Sequence, residues 1–158
     1  APFLVQFLPQ VRAATGLPIY LETGGHRPEQ LTMVLPYLDS VGMDIKLPSV
    51  SGESHWQAHA EFLQLCYDSQ IEVFIKLIIS NQTNPAELEQ TAELVAACSR
   101  TIPVFLQPVT AIDLSQQLNC SPSLAPAPEQ VLTWQTLMKR SLKQVRVIPQ
   151  THKMLGQL

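Results

Sequence analysis

Val41-Gly42-Met43-Asp44-Ile45-Lys46-Leu47-Pro48-Ser49 is a short apolar run that carries one acid and one base and then stops at a proline. Met43, Ile45 and Leu47 alternate with Asp44 and Lys46, the period-two pattern of a strand. The acid and the base therefore share one face and the apolar residues the other. A single polar strand face is often just solvated, but here four other runs end in the same way. They are 18–23, leading into Gly24-Gly25; 73–80, containing Lys76; 104–110, containing Gln107; and 145–150. Helical patterns separate them. Strand and helix alternate through the whole chain, which predicts an α/β fold with a parallel sheet and right-handed crossovers. In such sheets and barrels function sits at the carboxyl ends of the strands, where the sequence places Glu22, Lys46, Ser80, Gln107 and Gln150.

The 158 residues are 46% hydrophobic and 15% charged, which suits a single globular domain over 1–158 with a sizeable core. No apolar run is long enough to span a membrane and no secretion signal is visible at the start, so a cytoplasmic address is expected. A net charge of -3 argues against binding nucleic acid backbones, which takes a basic surface, and favours a small-molecule ligand. Cys66, Cys98 and Cys120 are odd in number and far apart, so neither a disulfide framework nor a zinc knuckle is indicated. Cys66 and Cys98 fall in helical patterns, where buried small apolar groups are expected. The chain opens at Ala1-Pro2-Phe3 inside a helical pattern and is expected to be a piece of a longer protein.

Taken in order, the pattern predicts a helix over 2–15 with Phe3, Leu4, Phe7, Leu8 and Val11 turned to the sheet, and a strand over 17–23. A helix over 28–38 follows, with Pro36 kinking it or ending it early. Residues 49–54 read as a polar loop able to reach over a site. In the next helix, 55–69, His55 and His59 stand one turn apart, a spacing that metal sites use. Without the glutamate of the zinc-protease arrangement they are expected to be exposed side chains. The strand over 72–80 is the most apolar and hence central, and its Lys76 must find a carboxylate, a ligand or the wet end of a barrel. Asn84-Pro85-Ala86-Glu87 opens a helix to about 99. A strand over 102–110, an excursion loop over 111–128, a helix over 129–142 with Val131, Leu132, Trp134, Leu137 and Met138, and a strand over 144–149 complete the chain.

Five segments, in this order and spanning nearly the whole chain, then carry a resemblance. They are Leu21-Glu22-Thr23-Gly24-Gly25, Met43 to Ser49, Val73-Phe74-Ile75-Lys76, Leu106-Gln107-Pro108, and Val145-Arg146-Val147-Ile148-Pro149-Gln150-Thr151-His152-Lys153. Together they resemble the carboxyl-terminal two-thirds of the radical S-adenosylmethionine enzymes, most of all the 7-carboxy-7-deazaguanine synthase family of the queuosine pathway. The last segment is the most specific. The resemblance implies the C-terminal part of a parallel-sheet, partial (β/α)6 TIM-like barrel. It also implies a parent enzyme that uses S-adenosylmethionine, a [4Fe-4S] cluster and magnesium. That enzyme generates a 5′-deoxyadenosyl radical and contracts the ring of 6-carboxy-5,6,7,8-tetrahydropterin with loss of ammonia. By the same resemblance Asp44, Lys46 and Ser49 face the ribose and carboxylate of S-adenosylmethionine, with Lys76 and Ser80 beside them and Gln107 near the adenine. Glu22, Thr23 and Gly24 form the substrate-facing mouth, and Gln150 and His152 close the pterin side.

The family's CxxxCxxC loop and the GGEP segment are absent from these 158 residues, and three spread cysteines do not replace a compact cluster loop. The chain alone is therefore expected to be inactive and to hold no metal. A glycyl-radical activase would share fold and cofactor, but its Pro-Gly segment is not visible in Ile79-Ser80-Asn81-Gln82-Thr83. A non-catalytic binding module on a partial barrel is the other alternative. Without the strands that would precede it, 17–23 becomes a sheet edge, so self-association into a homodimer is expected, by edge pairing or by exchange of the first helix.

Overall fold

The alternation at 41–49 recurs in space as the second strand of a parallel sheet. The computed structural model describes residues 2–110 and 125–151. Its elements are α1 (Pro2–Thr15), β1 (Tyr20–Thr23), α2 (Pro28–Val34), β2 (Ser40–Ile45), α3 (Pro48–Ser51), α4 (Trp56–Asp68), β3 (Glu72–Ile79), α5 (Pro85–Cys98), β4 (Val104–Pro108), α6 (Pro128–Met138) and β5 (Val145–Val147). The five strands are all parallel and lie in sequence order, β1-β2-β3-β4-β5. Crossovers that always step to the same side, as the right-handed rule for parallel strands requires, carry the described helices to one face of the sheet. The sheet is open, with β1 and β5 as its edges.

Burial follows this geometry. Val41, Met43 and Ile45 of β2, Val73, Ile75, Leu77 and Ile79 of β3, and Val104 and Leu106 of β4 are buried under the helices. They form one cluster with Leu31, Phe62, Leu63, Leu88, Val95, Trp134 and Met138 from α2, α4, α5 and α6. The alternate residues Tyr20, Glu22, Asp44, Phe74, Lys76 and Phe105 stand on the other, uncovered face, because neighbouring side chains on a strand point opposite ways. Tyr20 stacks on Phe74 (ring centroids 6.0 Å) and Phe74 meets Phe105 edge-on (5.5 Å). Gly42 makes room for this aromatic row, since a Cβ there would lie 2.1 Å from Tyr20 Oη.

Several boundaries differ from the sequence expectation, each for a local reason. The second helix ends at Val34 and passes into a 3-10 turn, Leu35–Tyr37, because Pro36 has no N–H to continue the α ladder. Residues 49–54 do not form a free loop over a site. Pro48, suited to a first helical position, starts the single turn α3, which Gly52 closes at φ 77 with its N–H on Pro48 O (2.8 Å). Phe3 and Phe7 do not pack on the sheet but stack on each other at the surface (5.1 Å), while α1 leans on α2 through its other face. Leu132 is exposed, since the buried stripe of α6 is Val131, Trp134 and Met138. Of the expected excursion at 111–128, residues 111–124 lie outside the described residues.

Core packing concentrated on β3 makes a stability prediction. Ile75→Ala, at a fully buried site between β2 and β4, should destabilise the chain by about 3 to 4 kcal/mol. Leu132→Ala should change stability by less than about 0.5 kcal/mol. Urea unfolding of the two variants checks both, and equal losses would refute the helix assignment of Leu132.

Candidate functional site

At the carboxyl half of the uncovered face four charged side chains form one row. Asp44 and Lys76 are paired in register across β2 and β3, so their side chains meet without any loop being needed. The Lys76 ammonium donates to Glu22 Oε1, reaching diagonally over β2 to β1, and lies 3.4 Å from Asp44 Oδ1. Lys46, one residue past β2 on the same face as Asp44, donates to Asp44 Oδ2 at 3.1 Å. The order Glu22–Lys76–Asp44–Lys46 alternates in sign and is neutral overall. Burial pulls the Lys76 pKa down, but its bonds and charge attraction to Glu22 and Asp44 outweigh that and leave it raised. Tyr20 lies beside the row, its hydroxyl 3.5 Å from Glu22 Oε2; burial and then the negative charge of Glu22 push its pKa up.

The other expected site residues divide into those near the row and those engaged elsewhere. Thr23 is the last residue of β1 and Gly24 follows it directly. Thr23 Oγ1 accepts the Gly25 N–H (3.4 Å), and Gly25 has φ 63 with its α-carbon pressed over Met43, a place closed to any side chain. Ser49 is held by Glu87 of α5, whose carboxylate accepts the Ser49 N–H (3.1 Å) and hydroxyl (2.6 Å), while Ser49 Oγ accepts the Asn84 N–H. Its polar atoms thus tie the turn after β2 to the start of α5. Ser80, which is buried, serves its own turn: its N–H donates to Thr83 Oγ1 and its hydroxyl oxygen accepts the Gln82 N–H. Gln107 donates to Pro149 O (3.2 Å), and Gln150 Oε1 accepts the Thr110 N–H (2.9 Å), so these two glutamines link β4 to the segment after β5. His152 lies outside the described residues.

His59 corrects the sequence expectation most sharply. It is fully buried, not exposed, and its Nε2–H donates to Gly24 O at 3.1 Å, anchoring the glycine turn from below. Burial, partly opposed by that bond, lowers its pKa to about 4; the nearby His55, His26 and Lys46 add to the depression. His26 and His55 stack at 5.1 Å above it. Glu87 is not marked as a site residue by the sequence pattern, nor His59 as a buried anchor. Glu87 could have been, as the third residue of a helix capped by Asn84, a position where carboxylates gather backbone N–H groups. For His59 the spacing with Phe62, Leu63 and Cys66 on one helical face was the available signal.

The donor set decides which cofactors these residues fit. Cys66 is buried under the sheet's helix-covered face with its thiol pushed up to about 12, and burial likewise raises Cys98. Protonated thiols on that side of the sheet do not fit as cluster ligands. Glu22 and Asp44 are already matched to ammonium groups, so they do not make a magnesium site. Among the described residues no group of three or more His, Cys, Asp or Glu could hold a metal ion. The row does fit a polar organic molecule, because Glu22 and Lys46 keep free acceptor and donor capacity at its two ends.

No protein-family model matches the chain. Over 156 residues, 98% of its length, it is 38% identical to 7-carboxy-7-deazaguanine synthase of Geobacter sulfurreducens. The chain is thus similar to a 7-carboxy-7-deazaguanine synthase over nearly its whole length. It spans 58% of that enzyme's length. A solved Burkholderia cenocepacia structure described as a phosphonomutase aligns with 98% of this chain and 73% of its own, at 16% identity and a TM-score of 0.44. Likeness that weak bears on neither fold nor activity. No helix among the described residues is long and apolar enough to cross a membrane.

The buried histidine has a pH signature. An ordinary histidine in the unfolded chain titrates near 6.5, whereas His59 in the fold titrates at about 4, so the unfolded state binds the extra proton between these values. The stability that neutral His59 contributes is complete above pH 6.5 and is lost as pH falls towards 4, a total of about 3 kcal/mol. His59→Gln keeps an N–H donor for Gly24 O and should remove most of that slope. Urea unfolding from pH 7 to 4 checks the difference between the two proteins; parallel pH profiles would refute the assignment.

Proposed function

We propose that the whole protein is a 7-carboxy-7-deazaguanine synthase, a radical S-adenosylmethionine lyase that converts 6-carboxy-5,6,7,8-tetrahydropterin to 7-carboxy-7-deazaguanine with release of ammonia. The observation that carries this reading is the 38% identity to an enzyme of that name over 98% of the chain. The reading also supposes that the open five-stranded sheet belongs to a larger partial barrel, whose lumen side is the face bearing the charged row. In the whole protein the cluster and S-adenosylmethionine would supply the radical chemistry with magnesium assisting, and Asp44, Lys46, Ser49, Lys76, Ser80 and Gln107 would border S-adenosylmethionine.

This chain's part is binding and orientation. The ammonium of Lys46 has N–H donors left after bonding Asp44, which suits a ligand carboxylate. The outer oxygen of Glu22 suits an N–H edge of the pterin. Thr23 and Gly24 bring backbone close to the same place, and Gly24 is held there by His59. Gln107 and Gln150 border the far side through their bonds to Pro149 and Thr110. Ser49 and Ser80 act by shaping the turns after β2 and β3. The charge alternation supports a ligand with both donor and acceptor groups over an anion such as a phosphate, which a neutral row would not attract.

Two measurements test the reading. Whole protein reconstituted without oxygen should release 7-carboxy-7-deazaguanine and ammonia from the tetrahydropterin, while residues 1–158 treated identically should show no iron–sulfur absorbance; a brown, stoichiometric cluster on the short chain would overturn the division of roles. The same short chain exposes β1 as an edge, with unpaired backbone groups along it. We expect it to sediment as a dimer at micromolar concentration, and a clean monomer with fast-exchanging amides at 20–23 would reject that.

A further inference from the structure

Behind β1, on the helix-covered side, lies a cavity of about 270 Å³ with Leu21, Leu31, Val34 and Phe62 in its wall. Leu31, Val34 and Phe62 belong to the buried core, so that wall is apolar and held in place by the packing of α2 and α4. Arg27 and Gln30 stand with them around the same space. The spacing 27, 30, 31, 34 is one face of a helical stripe, so the turns that fix the apolar wall also fix the two polar groups. Thr23 and His26 also border the cavity, but Thr23 Oγ1 accepts the Gly25 N–H and His26 stacks on His55. Among the described residues nothing bonds the Arg27 guanidinium or the Gln30 side-chain amide, whereas Arg12 is held by Asp39 at 2.5 Å. No Asp or Glu lines the cavity, and Glu29, the nearest acid along the chain, borders a different groove with Thr32 and Glu61.

We propose that this cavity binds a small organic carboxylate with an apolar body, the hydrocarbon part against Leu21, Leu31, Val34 and Phe62 and the carboxylate on Arg27 and Gln30. A guanidinium meets a carboxylate with two parallel N–H donors, and the Gln30 amide adds a third. A sugar or a nucleotide does not fit, because its polar groups would find no partners along the apolar wall. An apolar space of about 150 Å³ takes benzene, so about 270 Å³ takes one ring with a short chain that ends in the carboxylate. The cavity and the charged row use opposite faces of β1, since Leu21 and Glu22 are neighbours on one strand. The inference therefore stands apart from the function proposed above.

The probe is 4-bromophenylacetate, used on the whole protein. Calorimetric titration should give a dissociation constant of about 1 mM or tighter, the range open to a ligand of about ten non-hydrogen atoms. In crystals soaked with the probe, the anomalous signal of bromine should lie between α1 and α2. Arg27→Gln should weaken the acid about tenfold and leave its neutral analogue, 2-(4-bromophenyl)ethanol, within about twofold, because only the acid uses the charge. Leu4→Trp, which fills the cavity from α1, should abolish binding of both, and thermal melts confirm that each variant is folded. If Leu4→Trp does not fold, Arg27→Gln, at an exposed position, decides. Equal losses of acid and alcohol, or a folded Leu4→Trp protein that binds as the wild type does, would overturn the proposal. Bromine located elsewhere, or binding at crystal concentration only, does the same. So does a whole protein that takes up neither probe, whether the space has collapsed or other residues of the protein fill it. None of these outcomes bears on the functional reading, which product release tests separately.

Discussion

An ammonium group in the middle of an apolar strand is the constraint around which this molecule is arranged. Lys76 sits between Ile75 and Leu77, both wholly buried, so its stem leaves the sheet on the face away from the core. A half-buried charge needs partners, and the parallel register supplies Asp44 directly opposite and Glu22 one strand further on. That requirement orients β1, β2 and β3 relative to one another on the uncovered side, just as the Val, Ile and Leu residues do on the covered side. The two faces are therefore specified by different physics. Non-directional burial organises one face, and charge matching with definite partners organises the other.

Strand order explains why the second face is free to carry chemistry. When each crossover steps in the same direction, the helices among the described residues all stack on one side and none of them returns to cover the other. Polar groups at the carboxyl ends then stand together without having to be adjacent in sequence, and the βα turns become the rim. Two of those turns are fastened by hydrogen bonds that leave few atoms for a ligand: Glu87 grips Ser49, and Thr83 accepts from Ser80. A third, the Gly24 turn, is fastened by a buried imidazole bonded to its carbonyl. The cavity of about 270 Å³ between Leu4, Leu21, Phe62 and the polar side chains of Thr23, Arg27 and Gln30 lies on the helix side, since Leu21 points opposite to Glu22, and is separated from the row by the strand itself.

The sequence by itself determined the order of elements, the parallel sheet and the identity of the central strand, because these depend on period-two and period-3.6 patterns that need only neighbours along the chain. It also determined that Asp44, Lys46 and Lys76 belong to one environment, since each is a charge alternating with core residues. Tertiary structure alone decided who bonds whom. Ser49 and Ser80 look like ligands in a polar stretch, yet their atoms are occupied by Glu87, Asn84, Gln82 and Thr83 from segments whose approach no local pattern encodes. His59 looks solvent-exposed at a helix start, yet the rotation of α4 against the sheet turns it beneath Gly24. Leu132 looks buried, yet three neighbours on α6 already fill the space against α5. In each case the deciding quantity is the relative placement of two elements, set by the packing of whole faces and not by the residues that happen to meet there.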